Sequence, residues 1–304
     1  MQHSKLTVAA AVAVSAMLGV GKASAADLPM KAPPMVAAPI PSSWTGFYVG
    51  GNGGYAWGGN QVALISQASG TGTLFTFPAI PPPPAVPQSG TASYSPSGGF
   101  GGVQVGYNYQ FRPKWVAGVE ADIQGALISG SGAGPIKTVF SDPFFGFPDW
   151  AVNGSATVNW FGTARARVGF LPTNDLLLYA TGGLAYGEIA RTASVSSTTF
   201  GATGGSGGFS CAKGTVCFTQ TDRNTQVGWT AGIGAEYAFG SNVTLKAEYL
   251  HVDLGGGGRT FFLQATQPPG TATMTASFGS GVQFDLVRVG FNFKFGAAPV
   301  VAKY

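Results

Sequence analysis

Beyond its first few residues the chain carries a single histidine, His251, with Asp253 two positions on. A histidine beside a carboxylate is the minimum of a general-base pair. At the outer end of a membrane strand it would suit an acyltransferase or a protease. The competing reading is an interfacial ring next to Tyr249. A metal site needs three or four ligands, and the only cysteines, Cys211 and Cys217, lie far off in the chain. In an oxidising compartment these two, bracketing AKGTV, would close a small loop as a disulfide. The glycine run 255–258 lacks the strand–GxxxxGK–helix setting of a phosphate loop. No catalytic, metal or cofactor site is expected.

The other groups able to do chemistry are charges, and they are scarce. Only 9% of the 304 residues are charged, where about 25% is ordinary for a soluble domain. Glycine is in excess at 48 residues, and aromatics reach 12%. That aromatic content argues against disorder. The net charge of +4, unclustered, excludes a nucleic-acid binder. Ten charges within the strand-like segments are assigned to one polar face: Glu120, Asp122, Arg165, Arg167, Glu236, Lys246, Glu248, Asp285, Arg288 and Lys294. They are five acids and five bases, so they balance. Buried charges are tolerated when paired and hydrogen-bonded. An interior ionic network plugging a lumen is therefore expected, with an ion pathway as the alternative.

The elements that must hold these charges read as strands. Alternation of apolar and polar residues runs through eight segments: 45–57, 100–111, 115–127, 155–170, 176–190, 225–239, 243–253 and 282–295. In 155–170 the even positions, from Ala156 and Val158 to Phe170, form one apolar face, and Arg165 and Arg167 lie on the other. Arg112–Lys114, Leu171–Asp175 and Gly240–Asn242 are tight turns. The intervals 58–99, 128–154, 191–224 and 254–281 read as long loops. Short turns at one end and long loops at the other are the layout of an outer-membrane barrel.

Alternation alone does not say which face is inside, because a soluble lipocalin-like barrel also alternates. Three features favour an apolar exterior. The few charges share the polar face and balance, which a solvated surface would not require. That face is rich in glycine (Gly106, Gly118, Gly169, Gly183, Gly228, Gly232, Gly234, Gly290), as a narrow bore demands. Large aromatics recur ten residues apart on the apolar face: Phe47 and Trp57, Trp160 and Phe170, Trp229 and Phe239. Ten residues of tilted strand span roughly 25 Å, the height of a lipid-facing band between its aromatic girdles. The fold expected is all-β: an eight-stranded antiparallel up-and-down transmembrane β-barrel with long extracellular loops and short periplasmic turns.

The flanks carry addressing signals. Lys5, the apolar stretch Leu6–Val20 and the small-residue site Ala23-Ser24-Ala25 read as a secretory signal peptide, 1–25, cut between Ala25 and Ala26. The stretch is shorter than the about 20 residues of a membrane helix. Residues 26–43, with five prolines, read as a periplasmic tether. The barrel is placed at 44–295 and a periplasmic tail at 296–304.

Several segments together resemble a known family. They are ADLP (26–29), WTGFYVGGNGGYAWG (44–58), FGGVQVGYNYQF (100–111), GTARARVGF (162–170), LLYATGGLAYG (177–187), VGWTAGIGAEYAF (227–239), LKAEYLHVDLG (245–255) and VRVGFNFKF (287–295). Their order and spacing resemble the small outer-membrane proteins of alphaproteobacteria, the immunogenic, opacity-like surface antigens of the porin superfamily. The resemblance covers the strands of nearly the whole mature chain and fails in the long loops. It implies the outer membrane of a Gram-negative bacterium, surface display and a role in envelope integrity, with no catalytic residues. It implies outer-membrane lipid and lipopolysaccharide as surroundings, and the barrel-assembly machinery as a partner during insertion. A host or small-molecule ligand at the extracellular loops, haem included, is a further expectation. Family members usually end at the aromatic closing the last strand, whereas here Phe295 is followed by GAAPVVAKY. The leading expectation is a structural surface barrel with a plugged lumen. A narrow porin-like channel, a loop-mediated adhesin or haem binder and an enzyme using His251 stand as alternatives.

Overall fold

The computed structural model describes residues 43–67, 89–137, 150–197, 212, 214–240, 242–266, 274–279 and 281–295. Twelve antiparallel strands account for nearly all of them: β1 (Gly46–Gly58), β2 (Gln61–Gln67), β3 (Ser89–Tyr94), β4 (Ser97–Arg112), β5 (Trp115–Lys137), β6 (Trp150–Thr173), β7 (Leu176–Ser197), β8 (Val216–Phe239), β9 (Val243–Asp253), β10 (Arg259–Ala265), β11 (Met274–Phe278) and β12 (Gln283–Phe295). The expectation of eight strands therefore meets twelve hydrogen-bonded segments. The signal peptide with Ala25 and Ala26, nearly all of the tether, and the 296–304 tail lie outside the described residues.

The strand pairings return on themselves. β1 pairs with β4, β4 with β5, and so on through β6, β7, β8 and β9 to β12, which pairs back with β1. The four short strands make a second path, from β5 through β3, β2, β11 and β10 to β8. The tight turns fall at the expected places. At one of them Gly240 takes φ 77, a left-handed conformation that favours glycine.

Where they are described, the expected loops are largely strand. β5 continues to Lys137, β6 begins at Trp150, β7 runs to Ser197 and β8 starts at Val216. The reason is amplitude. Over Ser129–Gly134, Ser and Ala alternate with Gly, so a regular strand carries almost no hydropathy contrast.

The two faces exchange character along the strands. Near the tight turns the outer face is apolar: Phe47, Val103, Val119, Ile233, Val289 and Phe291 are exposed. Farther along, the outer face turns to Ser129 and Ser131 on β5, Thr192 and Ser194 on β7, and Thr221 and Thr225 on β8. The inner face there is apolar and buried, with Ile128, Val152, Ile189, Val195, Ile65 and Phe218. A bulge marks the change on β6. Between Val158 and Trp160 that strand carries one residue more than β7, so Asn159 sits unpaired. One extra residue reverses the side-chain parity. Ala156 and Val158, placed by strict alternation on the same outer face as Phe170, are therefore buried in the interior.

Candidate functional site

Eight of the ten charges expected to share a face meet inside the ring of long strands. β5 supplies Glu120 and Asp122, β6 Arg165 and Arg167, β8 Glu236, β9 Lys246 and Glu248, and β12 Arg288. All are buried, and they comprise four acids and four bases. Ladder register brings some together directly: Glu120 lies opposite Arg165, and Glu248 opposite Arg288.

Other contacts cross the bore. Glu120 accepts hydrogen bonds from Lys246 Nζ at 2.7 and 2.9 Å, from Arg288 Nη2 at 3.2 Å, from the Tyr48 hydroxyl at 2.7 Å and from Arg165. Three cations from three other strands thus converge on one carboxylate. Asp122 accepts from Arg288 Nη1 at 3.0 Å, Arg165 Nη2 at 3.1 Å and the Thr163 hydroxyl at 2.8 Å. Glu248 accepts from Arg165 Nη1 at 2.9 Å, Arg288 Nε at 2.6 Å and the Tyr179 hydroxyl at 3.2 Å. Glu236 holds Arg167 at 3.1 Å and accepts from Asn292 at 2.8 Å and from Thr244. Arg167 lies between the rings of Tyr48 and Tyr179, 4.7 and 5.3 Å from their centroids, in cation–π contact.

Glycine makes room for these rings. A Cβ at Gly106 would lie 2.1 Å from the Tyr48 hydroxyl oxygen, and one at Gly234 would lie 2.5 Å from the Tyr179 ring. Substitution at either position collides with a network tyrosine.

Apolar layers cover the network at both ends. Toward the tight turns Trp44, Val116, Leu171, Leu177 and Ala238 pack together, and Trp44 Nε1 donates to the Asn174 carbonyl at 2.9 Å. On the other side Phe161 packs edge-to-face on Phe100 and Phe284, each at 5.4 Å, beside Leu250 and Leu286.

Two expected members lie elsewhere. Lys294 faces inward but near the tight-turn end, donating to the Ser43 carbonyl at 2.7 Å over the Trp44 ring. Asp285 is on the outer face, because the inward positions of β12 are the even ones, Phe284, Leu286 and Arg288. It accepts from the Tyr249 hydroxyl at 2.7 Å and lies 2.9 Å from His251 Nδ1. The histidine's carboxylate partner is therefore Asp285 and not Asp253, which accepts from Gln283 and the Gly255 amide. Trp229 lies against the His251 ring at 5.3 Å. Cys217 is buried, and Cys211 lies outside the described residues. Among the described residues no group of three or more His, Cys, Asp or Glu could hold a metal ion.

Counting charges alone misses the neutral members, Tyr48, Thr163, Tyr179, Thr244, Asn292 and Asn108, whose Oδ1 accepts from Arg167 Nε at 2.8 Å. Their signal was available as parity, since each falls on the same face of its strand as a network charge or an inward glycine. Arg191, buried farther up β7, lies in the interval 191–224 that alternation alone reads as a loop.

The family model for the outer membrane protein beta-barrel domain matches residues 10–295. The 31 kDa outer-membrane immunogenic protein of Brucella melitensis biotype 1 is 34% identical over 295 residues, covering 95% of this chain and 97% of that protein. A 22 kDa outer membrane protein of Rhizobium leguminosarum is 26% identical over 198 residues, 65% of this chain and 67% of that one. Among solved structures, the outer membrane protein OprG from Pseudomonas aeruginosa aligns over 85% of this chain and 100% of that chain, at 13% identity and a TM-score of 0.43.

Proposed function

The chain belongs to the outer membrane protein β-barrel family and resides in the outer membrane of a Gram-negative bacterium, and from that premise we propose that it is a structural surface barrel of eight staves with a sealed lumen. Twelve segments make eight staves when four staves are interrupted. β1 and β2 are separated only by residues 59–60, β3 and β4 by 95–96, β9 and β10 by 254–258, and β11 and β12 by 279–282. Each break coincides with glycine or proline. The apolar outer band is the surface in lipid. The Ser- and Thr-rich outer face above it stands in the aqueous layer outside.

The observation that carries the sealed lumen is Glu120 bridged by Lys246, Arg165 and Arg288 from three other strands. Such links leave no continuous water path through a bore of eight strands. Equal numbers of acids and bases remove the selectivity expected of a charge-lined pore. The apolar layers above and below would exclude water from each end. The role supported is mechanical: a barrel braced across its middle, contributing to envelope integrity and displaying its extracellular segments. No reaction is assigned to His251.

Planar-bilayer recording of the purified, folded protein tests this reading. No sustained unitary current is expected. Reproducible channel steps from pure protein would overturn it.

A further inference from the structure

The interior charges fall into two sets that differ in balance. The network around Glu120 sums to zero. Farther up β7, Arg191 is only 1% exposed and stands among apolar side chains that include Ala156, Ile189 and Ala193. Its cross-strand neighbour is Asp222, but that carboxylate pairs with Arg259 of β10 at 3.5 Å. Among the described residues no carboxylate lies within ion-pair distance of Arg191. Its side-chain partner is Gln226. With both amide ends satisfied, Gln226 accepts from Arg191 Nη1 at 3.2 Å and donates to the Gly255 carbonyl at 3.0 Å. Tyr94, Asp222 and Arg259 are the titratable groups acting on Arg191. Among the described residues this layer therefore holds two arginines to one aspartate. An arginine does not relieve its burial by losing the proton, so among the described residues one positive charge is left without a counter-ion.

The β-ladder is interrupted at the same level. β8 pairs with β9 from Phe239 up to Trp229 and with β10 only at Phe218 and Thr219. Between Thr219 and Trp229 that edge has no ladder partner among the described residues. The chain leaves β9 there through Gly255 and Gly256, at φ 57 and 91. The side chains of Arg259 and Asp222 are 41% and 31% exposed, so the charged layer meets solvent beside this interruption.

We propose that Arg191, with Arg259 and Gln226 beside it, binds a small organic carboxylate entering between β8 and β10. A planar guanidinium matches a carboxylate with two parallel hydrogen bonds. The Tyr94 hydroxyl is a further donor on this face. The surplus is a single positive charge, which suits a monoanion. The surrounding aliphatic side chains suit a short alkyl chain and disfavour a strongly hydrated inorganic ion.

The test uses the full chain folded in non-ionic detergent and the thermal unfolding midpoint, read by the heat-modifiable gel shift. Butyrate is titrated against chloride at equal ionic strength. A ligand that binds the folded state raises the midpoint by mass action. Butyrate is expected to raise it saturably, and chloride is not. R191M should fold, unfold at a midpoint no lower than the unliganded wild type, and lose the butyrate response. R259Q should need several-fold more butyrate for the same rise. The assignment is overturned if butyrate has no effect or acts like chloride, or if the response survives in R191M or is unchanged in R259Q. Failure of R191M to fold, or a drop in its midpoint without ligand, would make Arg191 a structural charge and equally overturn it.

Discussion

Replacing Glu120 by glutamine removes one charge and almost no volume. The carboxylate receives Lys246, Arg165, Arg288 and the Tyr48 hydroxyl, with Arg167 at 3.6 Å. In E120Q the network holds four cations against three carboxylates, all out of water. Removing one partner of a buried ion pair costs about 3–5 kcal/mol, because the surviving charge is left uncompensated. In a domain of this size each kcal/mol moves the thermal midpoint by about 2–4 °C, so a fall of roughly 6–20 °C is expected. The double variant E120Q/K246M keeps three acids with three bases. It should be more stable than the sum of its single losses by about 0.5–3 kcal/mol, the usual coupling between contacting residues. Heat-modifiable gel mobility and tryptophan fluorescence give the midpoints. An E120Q midpoint within 2 °C of wild type, or strictly additive losses in the double variant, would refute the braced-interior argument.

The exchange of face character predicts where an added charge is tolerated. Ile233 is 64% exposed on the apolar outer band, so I233R should cost about 2–4 kcal/mol in a bilayer. S131R, on the hydroxyl-rich outer face, should stay within about 0.5 kcal/mol; equal costs in urea unfolding from vesicles would contradict the placement of the membrane boundary. G106A drives a methyl against the Tyr48 hydroxyl and should lose about 1–3 kcal/mol. G59A, with nothing within 4 Å of its Cβ, should be neutral by the same gel assay. F161A removes two edge-to-face ring contacts and should cost about 3–5 kcal/mol. It should leave bilayer recordings silent, because the ionic layer still bridges the bore; channel steps in this variant would move the seal from the charges to the aromatics.

The membrane half was legible because its two faces differ strongly. Trp229, Ile233, Tyr237 and Phe239 against Gly228, Gly232 and Glu236 leave one reading of β8. The outer half was not, for two reasons. Along Ser129–Gly134 its residues are small on both faces, so alternation there carries no contrast. Its apolar face is also reversed, so a pattern continued upward from the membrane half gives the wrong side. β6 shows the second effect in one strand: Arg165 is buried and Phe170 exposed, as alternation assigns them, whereas Ala156 and Val158 are inverted by the single extra residue at Asn159.

The charged site follows the same logic with a further lesson about parity. Asp285 does not share the polar face with Arg288, because three residues apart in a strand means opposite faces. Its removal to the outer surface, with Lys294 at the base, still leaves the interior neutral, since one acid and one base depart together. That neutrality is what a dry, crowded bore requires, and it makes Arg191 informative. An interior that pairs four bases with four acids in one layer has no physical need to strand an arginine in the next. A charge held at such a cost, beside a break in the β-ladder, is better understood as a group awaiting its counter-ion than as a brace.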